Sequence, residues 1–77
     1  MPTTLDRITG FRLREVRERR GYTQRELAFA LHVTPNVIAH SERGRATPTA
    51  AQIDQLARAL HVTPAALRMA LGAPLRA

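Results

Sequence analysis

The segment from Thr23 to Gly44 constrains this chain more than any other part of it. Thr23 is a helix N-cap candidate, and Glu26 stands three residues later, which completes a capping box. Leu27, Ala28 and Leu31 follow at helical spacing and give that helix an apolar face. His32-Val33 break the pattern, and Thr34-Pro35 restart a helix, with Thr as cap and Pro at the first helical position. Val37 and Ile38 form the inward side of this second helix, and Gly44 signals its end. The segment therefore predicts two short helices, about 24–31 and 35–42, joined by a tight turn. Helices this short are marginal alone, so the rest of the chain has to supply a packing support.

The flanking sequence supplies it in the form of more helices. Residues 1–7 have little to bury and read as a flexible arm. A first helix is expected over about 8–20, with Leu13 and Val16, Ile8 or Thr9 below them and the Arg20 stem above them, as its inner stripe. Arg12, Arg14, Arg17, Arg19 and Arg20 load this helix with charge that Glu15 and Glu18 partly offset, and Gly21 ends it. Gly44 to Thr49 is a loop whose last residue caps a helix over about 50–60, with Ile53, Leu56, Ala57 and Leu60 inward and Gln52, Asp54, Gln55 and Arg58 facing water. Thr63-Pro64 opens a fifth helix over about 64–71, and residues 72–77 read as a short tail. The expected architecture is all-α: five helices in one domain over residues 8–71.

The phrase Ala-Leu-His-Val-Thr-Pro occurs twice, at 30–35 and 59–64. The same turn chemistry used twice accounts for it. Each copy needs a residue that ends one helix, an apolar plug (Val33, Val62) and a capping Thr. A residue at a helix end is often left-handed, a conformation His enters more readily than most non-glycine residues.

Composition narrows the chemistry. The chain lacks cysteine, so a disulfide framework and a thiolate metal site are both excluded. His32, His40 and His61 lack metal-ligand spacing, and neither a metal nor another cofactor is expected. No apolar run approaches the roughly 18 residues of a membrane span, and no secretory signal is evident, so the expected setting is cytoplasmic. Ser41 and His40 are sequence neighbours that point in different directions on a helix, and no other nucleophile with its base is present. An enzyme is not expected. A net charge of +6, carried entirely by arginine on the basic side, draws polyanions to a domain of 77 residues. Aromatic stacking platforms for RNA are lacking.

Gly21 to Ala28, Leu31 to Thr34, Ile38 and Ser41 to Gly44, followed by Pro48 and Ala57 to Leu67, resemble in order and spacing the lambda-repressor and Cro-like (XRE-type) helix-turn-helix domain. The resemblance runs from about residue 8 to residue 67. It implies a sequence-specific DNA-binding transcriptional regulator, with the helix at about 35–42 as the recognition helix in the major groove. It also implies an ion pair between Arg17 and Glu42, and a glutamine, Gln24, that contacts phosphate and braces the recognition helix. Two departures stand out: His32 and His61 replace the family's usual glycine, and Ser41 replaces a large apolar residue. A hydroxyl at 41 either back-bonds to a helix carbonyl or leaves a thin spot.

On this reading Thr34, Pro35, Asn36, Ala39 and His40 face the bases. Asn36 can pair with adenine N6 and N7, His40 can donate to guanine or phosphate, and Thr34, Pro35 and Ala39 offer apolar contact to thymine methyls. Thr23, Gln24, Arg25, Arg43 and Arg45 are the expected phosphate contacts, which give affinity and register but no base choice. Double-stranded DNA is the expected partner, bound by a homodimer on a palindrome. Leu67, Met69, Leu71 and Leu75 are the expected source of a small interface, while Phe11 and Phe29 either form an apolar patch for self-association or a protein partner, or pack on each other or on the tail. The alternative function is a protein-interaction module, an antitoxin-like or adaptor chain using the same fold.

Overall fold

The helix boundaries follow from local capping chemistry. A computed structural model describes residues 4–45 and 48–72, with side chains from Arg7 onward. The described residues form α1 (Thr4–Arg19), α2 (Gln24–Leu31), α3 (Pro35–Glu42), α4 (Ala50–Leu60) and α5 (Pro64–Leu71). At α2 the Thr23 hydroxyl accepts from the Glu26 N–H at 3.0 Å, and the Glu26 carboxylate accepts from the Thr23 N–H at 2.9 Å. Thr49 and Gln52 make the same reciprocal pair at α4, and the Thr63 hydroxyl caps α5 through the Ala66 N–H. Thr34 stands at the N-cap of α3 without a side-chain cap bond, so Pro35 at the first position, which needs no partner for its nitrogen, carries that start.

α1 begins four residues before the expected start, at Thr4 rather than near residue 8, and ends at Arg19. Residues 4–7 therefore belong to the helix and not to an arm; residues 1–3 lie outside the described residues. Nothing in the sequence from 4 to 7 forbids helix, and how little this stretch has to bury is a poor guide to where the first turn begins.

α1 packs on α3 and α5, α2 on α3 and α4, and α4 on α5. Leu13, Leu27, Ala28, Ile38, Ile53, Leu56, Ala57, Leu60, Leu67 and Leu71 close the core, so every helix contributes to it. Thr9, not Ile8, fills the lower inward position of α1, and its hydroxyl is buried with no hydrogen-bond partner among the described residues. Val37 is largely exposed, which leaves Ile38 as the inward residue of α3. Arg20 is exposed, and its Nε donates to the Leu60 carbonyl at 3.0 Å, satisfying one of the open carbonyls at the end of α4. Leu67 and Leu71 are buried against α1 and α4 and cannot form an intermolecular surface. They were expected there because helical spacing alone does not say which side of a terminal helix the domain covers. Leu75 lies outside the described residues.

Both copies of the repeated phrase end their helices in the same way. His32 has φ 57° and ψ 40°, His61 has φ 59° and ψ 41°, and in each case the following valine N–H reaches back to the alanine carbonyl five residues earlier (Val33 to Ala28, Val62 to Ala57). The left-handed conformation costs a non-glycine residue about 1–2 kcal/mol. His61 is partly compensated by stacking on Tyr22, with ring centroids 6.4 Å apart, whereas His32 is simply exposed. His32→Gly is therefore expected to stabilise the fold by about 1 kcal/mol, a rise of roughly 4–8 °C in Tm for a domain of this size, read by thermal unfolding. His61→Gly should gain less, because it also loses the stacked ring.

The backbone N–H and then the hydroxyl of Thr23 hold the Glu26 carboxyl below its ordinary pKa. A carboxylate depressed in the folded state contributes stability above its ordinary value, and that contribution disappears as pH falls through the folded value. Glu26→Gln should remove this acid sensitivity, visible as a flatter Tm between about pH 5 and pH 3, the range in which a glutamate titrates.

Candidate nucleic-acid interface

α3 is held from its inner side by charge. Arg17, on α1, is buried, and its Nε donates to Glu42 Oε2 at 2.6 Å while Nη2 donates to Oε1 at 3.1 Å. The pair is two-pronged, with side chains only 8% and 4% exposed. The third guanidinium nitrogen, Nη1, donates to the Tyr22 carbonyl at 2.7 Å, in the link between α1 and α2. Gln24 completes the junction by donating Nε2 to Glu42 Oε1 at 3.0 Å. One carboxylate at the end of α3 thus gathers donors from α1 and from the first residue of α2. The hydrogen bond to Glu42 raises the Arg17 pKa, with burial acting the other way, so the arginine stays charged throughout.

This junction changes what Gln24 can do. One N–H of its side-chain amide is committed to Glu42, which leaves the other amide N–H and the main-chain N–H for an anion. The N–H groups of Gln24 and Arg25 point out of the start of α2 without intrahelical partners. The Thr23 N–H is already engaged by Glu26, whose negative charge at the same helix end opposes an incoming phosphate.

With Glu42 paired inward to Arg17, the outward side of α3 carries no carboxylate. Asn36 and His40 are both exposed and lie one helical turn apart on one face. Thr34 and Pro35 are exposed beside them, and Ala39 is half-buried. Arg43 and Arg45 are exposed just beyond the end of α3, and Arg25 is exposed on α2. Thr34 to His40 thus lie on α3 or at its N-cap, Arg43 and Arg45 follow its end, and Arg25 lies on the first turn of α2. Arg12 is not among these: its Nη1 lies 3.5 Å from the Leu71 carbonyl, at the end of α5.

Ser41 is half-buried and borders a cavity of about 70 Å³, lined also by Leu31, Val33, Val37, Pro48 and Gln52. A small hydroxyl where the packing would accept a larger apolar group leaves this space. Phe29, 84% exposed, Phe11 and Met69 all stand out of the surface. The two phenylalanines thus take the exposed alternative, and they are not part of the core.

Residues 9–74 match the model of the helix-turn-helix domain family. The chain belongs to the helix-turn-helix family of transcriptional regulators. YazB, an HTH-type transcriptional regulator of Bacillus subtilis, is 38% identical over 56 residues, which span 73% of this chain and 81% of that protein. Among solved structures, the clp gene regulator ClgR of Corynebacterium glutamicum superposes with a TM-score of 0.80 at 30% identity over 91% of both chains. The restriction-modification controller protein C.AhdI of Aeromonas hydrophila superposes with a TM-score of 0.73 at 34% identity, covering 80% of this chain and 90% of its own. In this helix-turn-helix protein α2 and α3 are the two helices of the motif, with His32 to Thr34 as the turn. The described helices include none long and apolar enough to cross a membrane.

Some of the junction escaped sequence reasoning. The donation from Arg17 to the Tyr22 carbonyl leaves no trace in residue type, since any residue offers a carbonyl. The Thr49–Gln52 capping box was legible, because Gln three residues after Thr is its signature, and Gln52 was read only as a solvated residue. Removing one partner of a buried pair strands the other: Arg17→Ala is expected to cost about 3–5 kcal/mol. Arg17→Lys should recover only part of that, because a lysine cannot make the two-pronged contact. Urea unfolding of the three proteins measures both differences.

Proposed function

We propose that this helix-turn-helix protein is a sequence-specific binder of double-stranded DNA that inserts α3 into the major groove. The observation that carries the reading is the way α3 is anchored: its one carboxylate is turned inward to Arg17 and Gln24, while Asn36 and His40 are left outward. A groove-reading helix needs this division, since an outward glutamate at that end would meet phosphate repulsion. Asn36 reads adenine through both groups of its amide, His40 donates to guanine or to a phosphate, and Thr34, Pro35 and Ala39 touch thymine methyls. Arg43 and Arg45 bind phosphates at the far end of α3. Arg25 and the outward N–H groups of Gln24 and Arg25, beside Thr23, bind them at the start of α2. The net charge of +6 supports attraction to the duplex as a whole.

A homodimer on a palindrome, with half-sites ~34–36 Å apart, fits a single short reading helix per chain. Phe11, Phe29 and Met69 are the most exposed of the large apolar residues described, ahead of Val37, Ile8 and Val33, and are available for it. The same three residues favour a second reading, an adaptor that uses this fold to hold another protein. Salt separates the two, because phosphate-driven binding weakens by ~0.9 log units per contact for each log unit of salt.

Selection of bound sequences from random duplex DNA tests the assignment. Asn36→Ala is expected to relax choice at one base pair, costing about 1–3 kcal/mol on the selected site. Arg45→Ala should weaken all duplexes alike and lower the salt slope by about one phosphate contact. Identical behaviour of the two variants would sink the division between base-reading and phosphate-binding residues.

A further inference from the structure

Gly10 lies in the middle of α1, is buried, and has no part in the Arg17–Glu42–Gln24 junction. Its surroundings are main chain. A Cβ placed on it would stand 2.6 Å from the Glu42 carbonyl oxygen, 2.6 Å from the Ser41 carbonyl oxygen and 2.8 Å from the Gly44 nitrogen. These atoms belong to the last turn of α3 and the residues that leave it. Main-chain atoms in a helix end cannot rotate aside as a flexible side chain can, so a single methyl group would force α1 and α3 apart.

Resting on the DNA-binding reading above, we infer that Gly10 is a positioning residue for α3: the missing side chain sets how closely the C-terminal end of the reading helix sits on α1, and hence where His40, Arg43 and Arg45 meet the duplex. Three features support it. Helix interiors disfavour glycine relative to alanine, so a glycine at this point of α1 carries a local disadvantage that the close approach accounts for. Ile38, one turn earlier, anchors α3 in the core, so movement at Ser41 and Glu42 tilts the helix about that anchor rather than translating it. The cavity of about 70 Å³ beside Ser41 leaves the same turn incompletely supported, which makes α3 the element that yields. The ion pair supplies attraction across this junction; Gly10 supplies the distance.

Gly10→Ala is the test, read against the wild type on the site selected by the wild type and on unrelated duplex of equal length. If Gly10 serves only the fit of α1 against α3, alanine lowers stability and leaves the ratio of specific to non-specific affinity unchanged. If it positions α3, the ratio of specific to non-specific affinity falls about ten-fold or more, the size of one or more lost base contacts, while non-specific binding is retained. The loss should concentrate on the base pairs that His40→Ala relaxes and spare those that Asn36→Ala relaxes. The same comparison in a His32→Gly background, read against His32→Gly alone because residue 32 lies in the turn before α3, guards against loss of fold. A Gly10→Ala chain that keeps the wild-type ratio overturns the inference and leaves the DNA-binding reading standing. A chain unfolded even in the His32→Gly background also overturns it, because Gly10 then serves the fold and not the presentation of α3. A wild type with no base preference at all removes the reading and the inference together.

Discussion

Arg17 and Glu42 lie 25 residues apart in sequence, and their two-pronged contact joins the long first helix to the end of the reading helix. Both charges are nearly sealed from water, so the pair carries a large desolvation cost that only good geometry offsets. The geometry is supplied by neighbours: Gln24 gives Glu42 a further donor, and the Tyr22 carbonyl takes the remaining guanidinium edge. Each polar group at the junction is thereby satisfied. A buried pair of this kind is a weak source of net stability, but it strongly disfavours arrangements in which either charge is left alone. Its effect is to select one placement of α3 over others that an apolar contact would tolerate.

That selection matters because α2 and α3 have eight residues each and cannot hold a conformation by themselves. α3 contributes just Ile38 to the buried apolar core, and a cavity lies beside Ser41. Its position therefore depends less on hydrophobic burial than that of α4, which contributes Ile53, Leu56, Ala57 and Leu60. An element meant to enter a groove has to keep most of its surface free, and polar contacts at one end are a way to fix it with little buried area.

The two left-handed histidines show another exchange between local cost and global shape. A Val-Thr-Pro sequence after each of them seats an apolar plug and restarts a helix within a few residues. Glycine would allow the same turn without strain. Histidine at 61 recovers something by lying on Tyr22, which ties the α4–α5 turn to the link before α2. At 32 nothing in the structure explains the choice.

The sequence by itself determined where α2 to α5 begin and end. The caps at Thr23, Thr49 and Thr63 are contacts across three residues, and Pro35 opens α3 without one; all of these are decided by chain neighbours whatever the rest of the molecule does. It also determined the core stripe of α4, whereas the reach of Arg20 to the end of that helix belongs to the tertiary structure. The resemblance to a known family named Arg17 with Glu42, and Gln24 beside them, before any coordinate did. Only the tertiary structure decided that Leu67 and Leu71 face inward, that Val37 faces outward and that Thr9 rather than Ile8 fills the lower end of α1. Periodicity marks a stripe on a helix but does not say which neighbour covers it. Gly10 was invisible for a related reason: its significance lies in main-chain atoms more than thirty positions away, and a residue with no side chain announces nothing about what approaches it.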